Sequence, residues 1–96
     1  MRLVLAPAAL AELQDAAAFY AQKANIDLGL AFVAEFERTA RLVSDNPQLG
    51  AVLRGLRRRY PLRRFPYSII YQILKDEFLV IAIAHHRRKP DYWTNR

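Results

Sequence analysis

The run Phe78-Leu79-Val80-Ile81-Ala82-Ile83-Ala84 is apolar at every position. A strand with one solvated face would alternate apolar and polar residues, so this run predicts a strand buried on both faces and central in a sheet. Lys75-Asp76-Glu77 separates it from a second β-prone run, Tyr67–Leu74, which Pro66 opens. A connection this short predicts an antiparallel hairpin.

Upstream of the hairpin the apolar residues recur at helical spacing. A short strand at Arg2–Leu5 is followed by Pro7, which suits the first turn of a helix running to about Lys23. Asp27 is a suitable N-cap for a second helix, which Asn46-Pro47 ends. Apolar stripes are formed by Leu10, Leu13, Ala17 and Tyr20 on the first helix and by Phe32, Phe36 and Val43 on the second. The short loop between them predicts an antiparallel helix hairpin.

Between the helices and the hairpin the period changes to two. Leu56, Tyr60 and Leu62 alternate with Arg57, Arg59 and Arg63, which predicts a half-buried strand from Leu56 to Arg64. Pro61 predicts that this strand lies at an edge or carries a bulge. The pattern as a whole predicts one α+β domain over residues 1–96: an N-terminal strand, an antiparallel helix hairpin and a three-stranded antiparallel meander.

The composition is that of a small globular protein. The chain has 96 residues, of which 53% are hydrophobic and 25% charged, and no cysteine, so disulfides and thiolate metal sites are excluded. Met1–Leu5 meets Pro7 too early for a signal peptide, and no apolar run approaches the ~20 residues of a membrane helix. We therefore expect a cytoplasmic protein without membrane association.

The positive charge is concentrated in the second half of the chain. Residues 1–50 hold four Lys/Arg and six Asp/Glu, a net charge of −2, whereas residues 51–96 hold eleven and three, a net charge of +8. Twelve of the fifteen cations are arginines, the residue suited to bidentate and stacking contacts. A basic face of this kind suits a phosphate backbone or an acidic protein partner, and a solvated arginine-rich surface is the alternative.

The buried strand runs to His85 and leads directly into His86-Arg87-Arg88-Lys89-Pro90-Asp91-Tyr92-Trp93. Adjacent residues of a strand point to opposite faces, so His85 and His86 are not expected to share a metal ion or to act as a catalytic pair. His85 is expected to continue the Leu79-Ile81-Ile83 face as a structural histidine. Tyr92 and Trp93 either form a base-stacking platform or fold back over the sheet, and we favour the covering role.

Phosphodiester cleavage is the enzymatic option that these residues leave open. Arginines would stabilise the charge of the phosphorane, and Tyr92 or His86 would donate the proton. Nucleophilic triads are not expected, since no serine or threonine has a histidine and an acid at suitable spacing.

Three strings in this order resemble the RelE/ParE superfamily of type II toxin–antitoxin toxins. They are Asn46-Pro47-Gln48-Leu49-Gly50, the stretch from Leu62 to Tyr71, and the stretch from His85 to Trp93. The resemblance implies a growth-inhibiting toxin, of a kind associated with plasmid stabilisation. It would be neutralised by an antitoxin encoded beside it, with which it would form a hetero-oligomer. The antitoxin would fold onto the helix hairpin and the sheet, and we expect it to contact Leu13, Tyr20, Phe32 and Phe36.

The resemblance implies two possible targets. ParE-like members inhibit DNA gyrase without known catalytic residues, and the ending of this chain is closer to theirs, so gyrase inhibition without enzymatic activity is favoured. RelE-like members cut messenger RNA on the ribosome, a role for which Arg64, Arg87 and Tyr92 are candidates here, although the expected lysines are absent. An inactive antitoxin-binding member is a third possibility. No cofactor or metal is implied, and the expected target-binding residues are Arg57, Arg59, Arg63, Arg64, His86, Arg87, Arg88, Tyr92 and Trp93.

Overall fold

The computed structural model describes all 96 residues, Met1–Arg96, as an α+β fold of two helices and one five-stranded sheet. The elements follow in the order β1 (Arg2–Leu5), α1 (Pro7–Lys23), α2 (Ile26–Asp45), β2 (Ala51–Arg54), β3 (Arg57–Pro61), β4 (Tyr67–Leu74) and β5 (Glu77–His85). The sheet order is β1-β5-β4-β3-β2, with β1 parallel to β5 and the other pairs antiparallel. The predicted α+β class and the order of strand, helix hairpin and antiparallel meander are confirmed, and β5 lies inside the sheet as its apolar sequence required.

The helix hairpin forms as predicted, with one change at its second N-terminus. Asn25, in an extended conformation, caps α2 by accepting a hydrogen bond from Leu28 N at 2.9 Å. The prediction of Asp27 as the cap is wrong, since Asp27 lies in the first turn, where its charge favours the positive end of the helix dipole. Neither helix is long and apolar enough to span a bilayer.

The main core lies between the helices and one face of the sheet. It is built by Phe32 and Phe36 of α2, Leu13 of α1, and Ile69 and Phe78 of the central strands. These side chains are at most 9% exposed, so the hairpin and the sheet bury one continuous apolar layer.

The meander has four antiparallel strands, not three. The additional strand β2 pairs with the first half of β3, and Gly55 makes the turn between them with a φ of 57°. The edge position predicted from Pro61 is wrong, because β3 lies between β4 and β2. Pro61 is tolerated there because it lies beyond the last residue of β3 that pairs with β2. The expected strand to Arg64 is therefore too long, and Arg63 and Arg64 lie in the loop that follows it.

A register shift in the β4–β5 ladder changes which side chains share a face. Ile70 pairs with Ala82 and Tyr71 with Val80, so Ile81 is an extra residue on β5. As a result Ile81 packs on the face away from the helices, whereas Ile83 belongs to the main core. The expected continuous Leu79-Ile81-Ile83-His85 face is wrong, because the bulge moves Ile83 and His85 to the helix side.

Candidate functional site

Residues 86–96, here called the tail, fold back over the face of the sheet that the helices leave open. Trp93 is 4% exposed and packs with Ile70, Ile81 and Ala82 in a second, smaller core. The indole is therefore a covering residue, and it is not available as an exposed stacking platform. The covering role favoured from the sequence is the one that the structure shows.

Arg57 of β3 anchors the tail through its backbone. Its Nη1 donates to the carbonyl oxygens of Trp93 and Thr94, both at 3.2 Å, and its Nη2 donates to the carbonyl of Arg96. The guanidinium also lies 5.4 Å from the centre of the Trp93 ring. Arg57 was predicted as a target-binding cation, but its donors are occupied within the chain.

Glu12 of α1 anchors the tail from the other side. Its Oε1 accepts from Ile83 N at 3.0 Å and from Arg96 Nη1 at 2.8 Å, and its Oε2 accepts from the Tyr92 hydroxyl at 2.6 Å and from Arg96 Nη2 at 3.0 Å. Burial works to raise the pKa of Glu12, but the hydrogen bonds from Arg96, Tyr92 and the Ile83 N–H outweigh it and lower the pKa. The carboxylate stays ionised, so it can hold all these donors at once.

Two guanidinium groups lie over the ring of Tyr92. Arg88 lies 3.9 Å and Arg96 4.9 Å from the centre of its ring, and Arg88 Nη1 lies 3.9 Å from Oε2 of Glu12. Burial and the hydrogen bond to ionised Glu12 raise the pKa of the Tyr92 hydroxyl. A phenol with a raised pKa that already donates to a carboxylate is poorly placed to exchange a proton with a substrate.

A cationic cleft of about 230 Å³ lies between the tail and the face of the sheet that the helices leave open. Its floor includes Ile70 and Trp93, and its walls carry Arg59, Arg88 and Lys89. His86 lines it as well, and its Nε2 lies 3.0 Å from Ser68 Oγ, while Asp91 is the only acid present. The side chains of Arg59, Arg87 and Lys89 make no hydrogen bond or ion pair within the chain, so these three are free cations on the tail and the neighbouring strand.

His85 lies on the other side of β5 from His86. Its ring packs edge-on against Tyr67 at 4.9 Å, and its Nδ1 accepts from Arg87 N at 3.0 Å. The two rings therefore point to opposite sides of the sheet, as predicted, although both residues contribute to the lining of the cleft. No three histidine or carboxylate side chains come together as a metal-ligand set.

Arg63 and Arg64, which were expected among the target-binding residues, do not line the cleft. Arg63 N donates to Oε2 of Glu35 on α2 at 2.8 Å, which places this loop against the helices. Arg64 has a φ of 69° and stacks on Phe65, 5.3 Å from the ring centre. The arginine row predicted along one strand face is thus divided, with only Arg57 and Arg59 on the outer face.

The side chains expected to contact an antitoxin lie mostly inside the fold. Leu13, Phe32 and Phe36 are at most 9% exposed, and the half-buried Tyr20 stacks on Phe32 and Phe65. The prediction is wrong for the three buried residues, because the sheet already covers the apolar stripes that the sequence identified. The apolar side chains that the hairpin exposes are Leu10, Phe19, Ile26 and Leu30.

Glu12 and Arg96 are the residues of this site that the sequence reasoning missed. One signal for Glu12 was available: it has alanine both four residues before and four residues after it, so no helical ion pair satisfies it. The partner at Arg96 lies 84 positions away, and sequence spacing does not predict such a contact.

A strand, a helix hairpin and an antiparallel sheet whose open face is covered by a basic tail define a protein of the RelE/ParE type. The model of the family "ParE toxin of type II toxin-antitoxin system, parDE" matches residues 3–90. The chain therefore belongs to the ParE toxin family of type II toxin–antitoxin systems.

A solved structure described as the chromosomal ParDE TA system from P. aeruginosa shares the fold. It has a TM-score of 0.77 at 19% sequence identity, over 88% of this chain and 95% of that chain. The search of curated proteins found no match.

Proposed function

We propose that this toxin arrests growth in the cytoplasm by inhibiting DNA gyrase, using the cationic cleft and the free cations of the tail. The observation that carries the proposal is the contrast between anchored and free groups. The backbone of the tail is fixed at Arg57 and Glu12, yet Arg59, Arg87 and Lys89 have no partner in the chain. Cations presented on a held segment bind an acidic surface without first paying the entropy of ordering it.

The arrangement favours a binding role over RNA cleavage. Tyr92, the candidate proton donor, is bonded to Glu12, and Arg64 stacks on Phe65 in a loop that bonds to α2 through Arg63 N. Of the three ribonuclease candidates only Arg87 is free. A cleavage site would need a general acid and a charge-stabilising group on the same phosphate. His86, the alternative proton donor, lies in the cleft, but its Nε2 is 3.0 Å from Ser68 Oγ, so the ring is already engaged within the chain.

The test is to induce the chain alone in cells and to compare plasmid topology with message integrity. We expect relaxed or cleaved plasmid with intact messages, and inhibition of purified gyrase in a supercoiling assay. The variant Arg87→Ala/Lys89→Ala should weaken inhibition, whereas Lys23→Ala, an exposed cation at the end of α1, should not. Cut messages with normal topology would overturn the gyrase proposal in favour of ribosome-dependent cleavage, and absence of growth arrest would favour an inactive family member.

We further propose that a cognate antitoxin neutralises the toxin by folding onto the exposed side of the helix hairpin. Support comes from the family and from the exposure of Phe19, Ile26 and Leu30, which are 52%, 69% and 63% accessible. Large apolar side chains on neighbouring helices are suited to a partner helix that supplies apolar residues. Co-expression with the neighbouring reading frame should rescue growth, and Leu30→Ser should weaken that rescue. Leu56→Ser, an equally exposed leucine in the β2–β3 turn, is the matched control and should leave rescue intact.

A further inference from the structure

We infer that Glu12 of α1 is the positioning residue that holds the target-binding tail in its working conformation. That the tail binds the target rests on the proposed function, whereas the statement that Glu12 holds the tail in place does not depend on the target. Three observations support it: the place of Glu12 at the sheet edge, the sharing of its oxygens between segments, and its absence from the cores.

Glu12 and Arg96 occupy an edge of the sheet that no strand covers. β1 pairs with β5 only as far as Val80, where Ala6 N still donates to Val80 O at 3.0 Å. Beyond that point Ile83 N donates to Glu12 Oε1, and Ile81 O accepts from Arg96 Nη1 at 3.3 Å. The ion pair therefore takes the place of a further strand and satisfies the backbone groups next to the bulge.

The carboxylate of Glu12 joins three segments, α1, β5 and the tail. It accepts from β5 at Ile83, from the tail at Tyr92 and from its last residue, Arg96. Only 17% of the side chain is accessible, so water competes weakly for these bonds. Neutralising the Glu12 carboxylate thus weakens the bonds that hold the tail, with its free cations Arg87 and Lys89, against α1.

Glu12 is not part of either apolar core, so its loss should release the tail before it unfolds the domain. The main core lies between the helices and the sheet, and Arg57 still holds the tail backbone from the opposite side. Tail release and global unfolding are therefore separable measurements.

The experiment compares Glu12→Gln with Asp15→Asn, an equally isosteric neutralisation of an exposed acid one turn along α1 that bonds to nothing. Trypsin cleavage after Arg87 and Arg88 reports on tail opening, Trp93 emission on its packing, and far-UV circular dichroism with thermal unfolding on the fold. Because proteolysis follows the open population, we expect cleavage of Glu12→Gln to be about tenfold faster or more, with red-shifted emission and a retained cooperative transition. Growth arrest by the induced chain should weaken in parallel, and Asp15→Asn should match the wild type.

A second variant tests whether the residues act as a unit. Arg96→Ala leaves α1 unchanged, and the double variant Glu12→Gln/Arg96→Ala should open no further than the more open of the two single variants. Additive opening, or a protected tail in Glu12→Gln, would overturn the inference whatever the target is. An opened tail with undiminished growth arrest would also overturn it. If the wild type arrests growth without affecting gyrase, the gyrase proposal fails alone, because tail opening and growth arrest still decide the role of Glu12.

Discussion

Replacing Arg57 with alanine should destabilise the protein, whereas the same change at Arg59 should not. Both arginines lie on the outer face of β3, two residues apart. Arg57 donates to three tail carbonyls and lies over Trp93, whereas Arg59 makes no such contact. Removing Arg57 deletes the anchor that holds Trp93 on the sheet.

The magnitude follows from the contacts. A hydrogen bond from a charged donor contributes about 1.5–3 kcal/mol, and a cation–π contact of this kind about 0.5–1 kcal/mol. The two bonds of Nη1 are long, at 3.2 Å, and share one nitrogen, so together they count as about one. Because Arg57 is only half-buried, we expect a total loss of roughly 2–3 kcal/mol, which for a domain of this size lowers Tm by roughly 10–20 °C.

Thermal unfolding followed by circular dichroism measures the loss, and fluorescence reports on Trp93, the single tryptophan of the chain. Arg57→Ala should lower Tm and shift the emission to the red, and Arg57→Lys should recover little, because an ammonium cannot reproduce the planar fork. Arg59→Ala should stay within about 0.5 kcal/mol of the wild type. Equal Tm values for the two alanine variants would show that Arg57 does not anchor the tail.

Three further predictions concern the rest of the fold. The buried Tyr71 hydroxyl donates to Pro47 O at 2.6 Å and accepts from Gly50 N at 3.0 Å, so Tyr71→Phe should cost about 1–3 kcal/mol in urea unfolding by leaving these groups unpaired. Gly50→Ala should be destabilising as well, because its Cβ would lie 2.5 Å from that hydroxyl oxygen. The bidentate hydrogen bonds of Arg38 lower the pKa of Glu35 to about 2. The ionised carboxylate therefore contributes at most about 3 kcal/mol to the free energy of unfolding. This contribution is present above pH 4.5 and is lost as the pH falls towards 2. When stability is measured as a function of pH, Glu35→Gln should lose less stability between pH 4.5 and 2 than the wild type does. An identical pH dependence of the two proteins would exclude this role for Glu35.

Elements bounded by strong local signals could be predicted to the residue. The bounds of β1, α1 and β4 match the sequence prediction, because proline or a short polar loop marks at least one end of each and the apolar spacing is regular. β2 could not be predicted in this way. Its four residues are all exposed and do not alternate, so its pairing depends on the Gly55 turn and on the partner strand.

The site was less predictable than the fold, because it depends on register and on contacts distant in sequence. The chemistry of the tail was visible in its composition, and so was the opposition of His85 and His86. The bulge at Ile81 could not be predicted. Each residue of β5 from Phe78 to Ala84 is apolar, so no alternation of apolar and polar residues shows which face of the sheet each side chain occupies. The burial of Leu13 and Phe32 in the toxin's own core could not be predicted either. An apolar stripe predicts a contact face but does not say whether the sheet or a partner covers it.

The three consecutive arginines of β3 show why net charge overstates the surface available to a target. Arg57 binds the tail, and Arg58 donates to Gly50 O at 2.8 Å on the loop before β2, so both are used within the fold. Only Arg59 faces the cleft without a partner. A cation that already satisfies carbonyl oxygens can bind a target only by giving up those bonds, which would also loosen the surface that the target recognises. β3 and the tail therefore divide their cations between holding the surface together and presenting charge, and under the proposed function the second role falls to Arg59, Arg87 and Lys89.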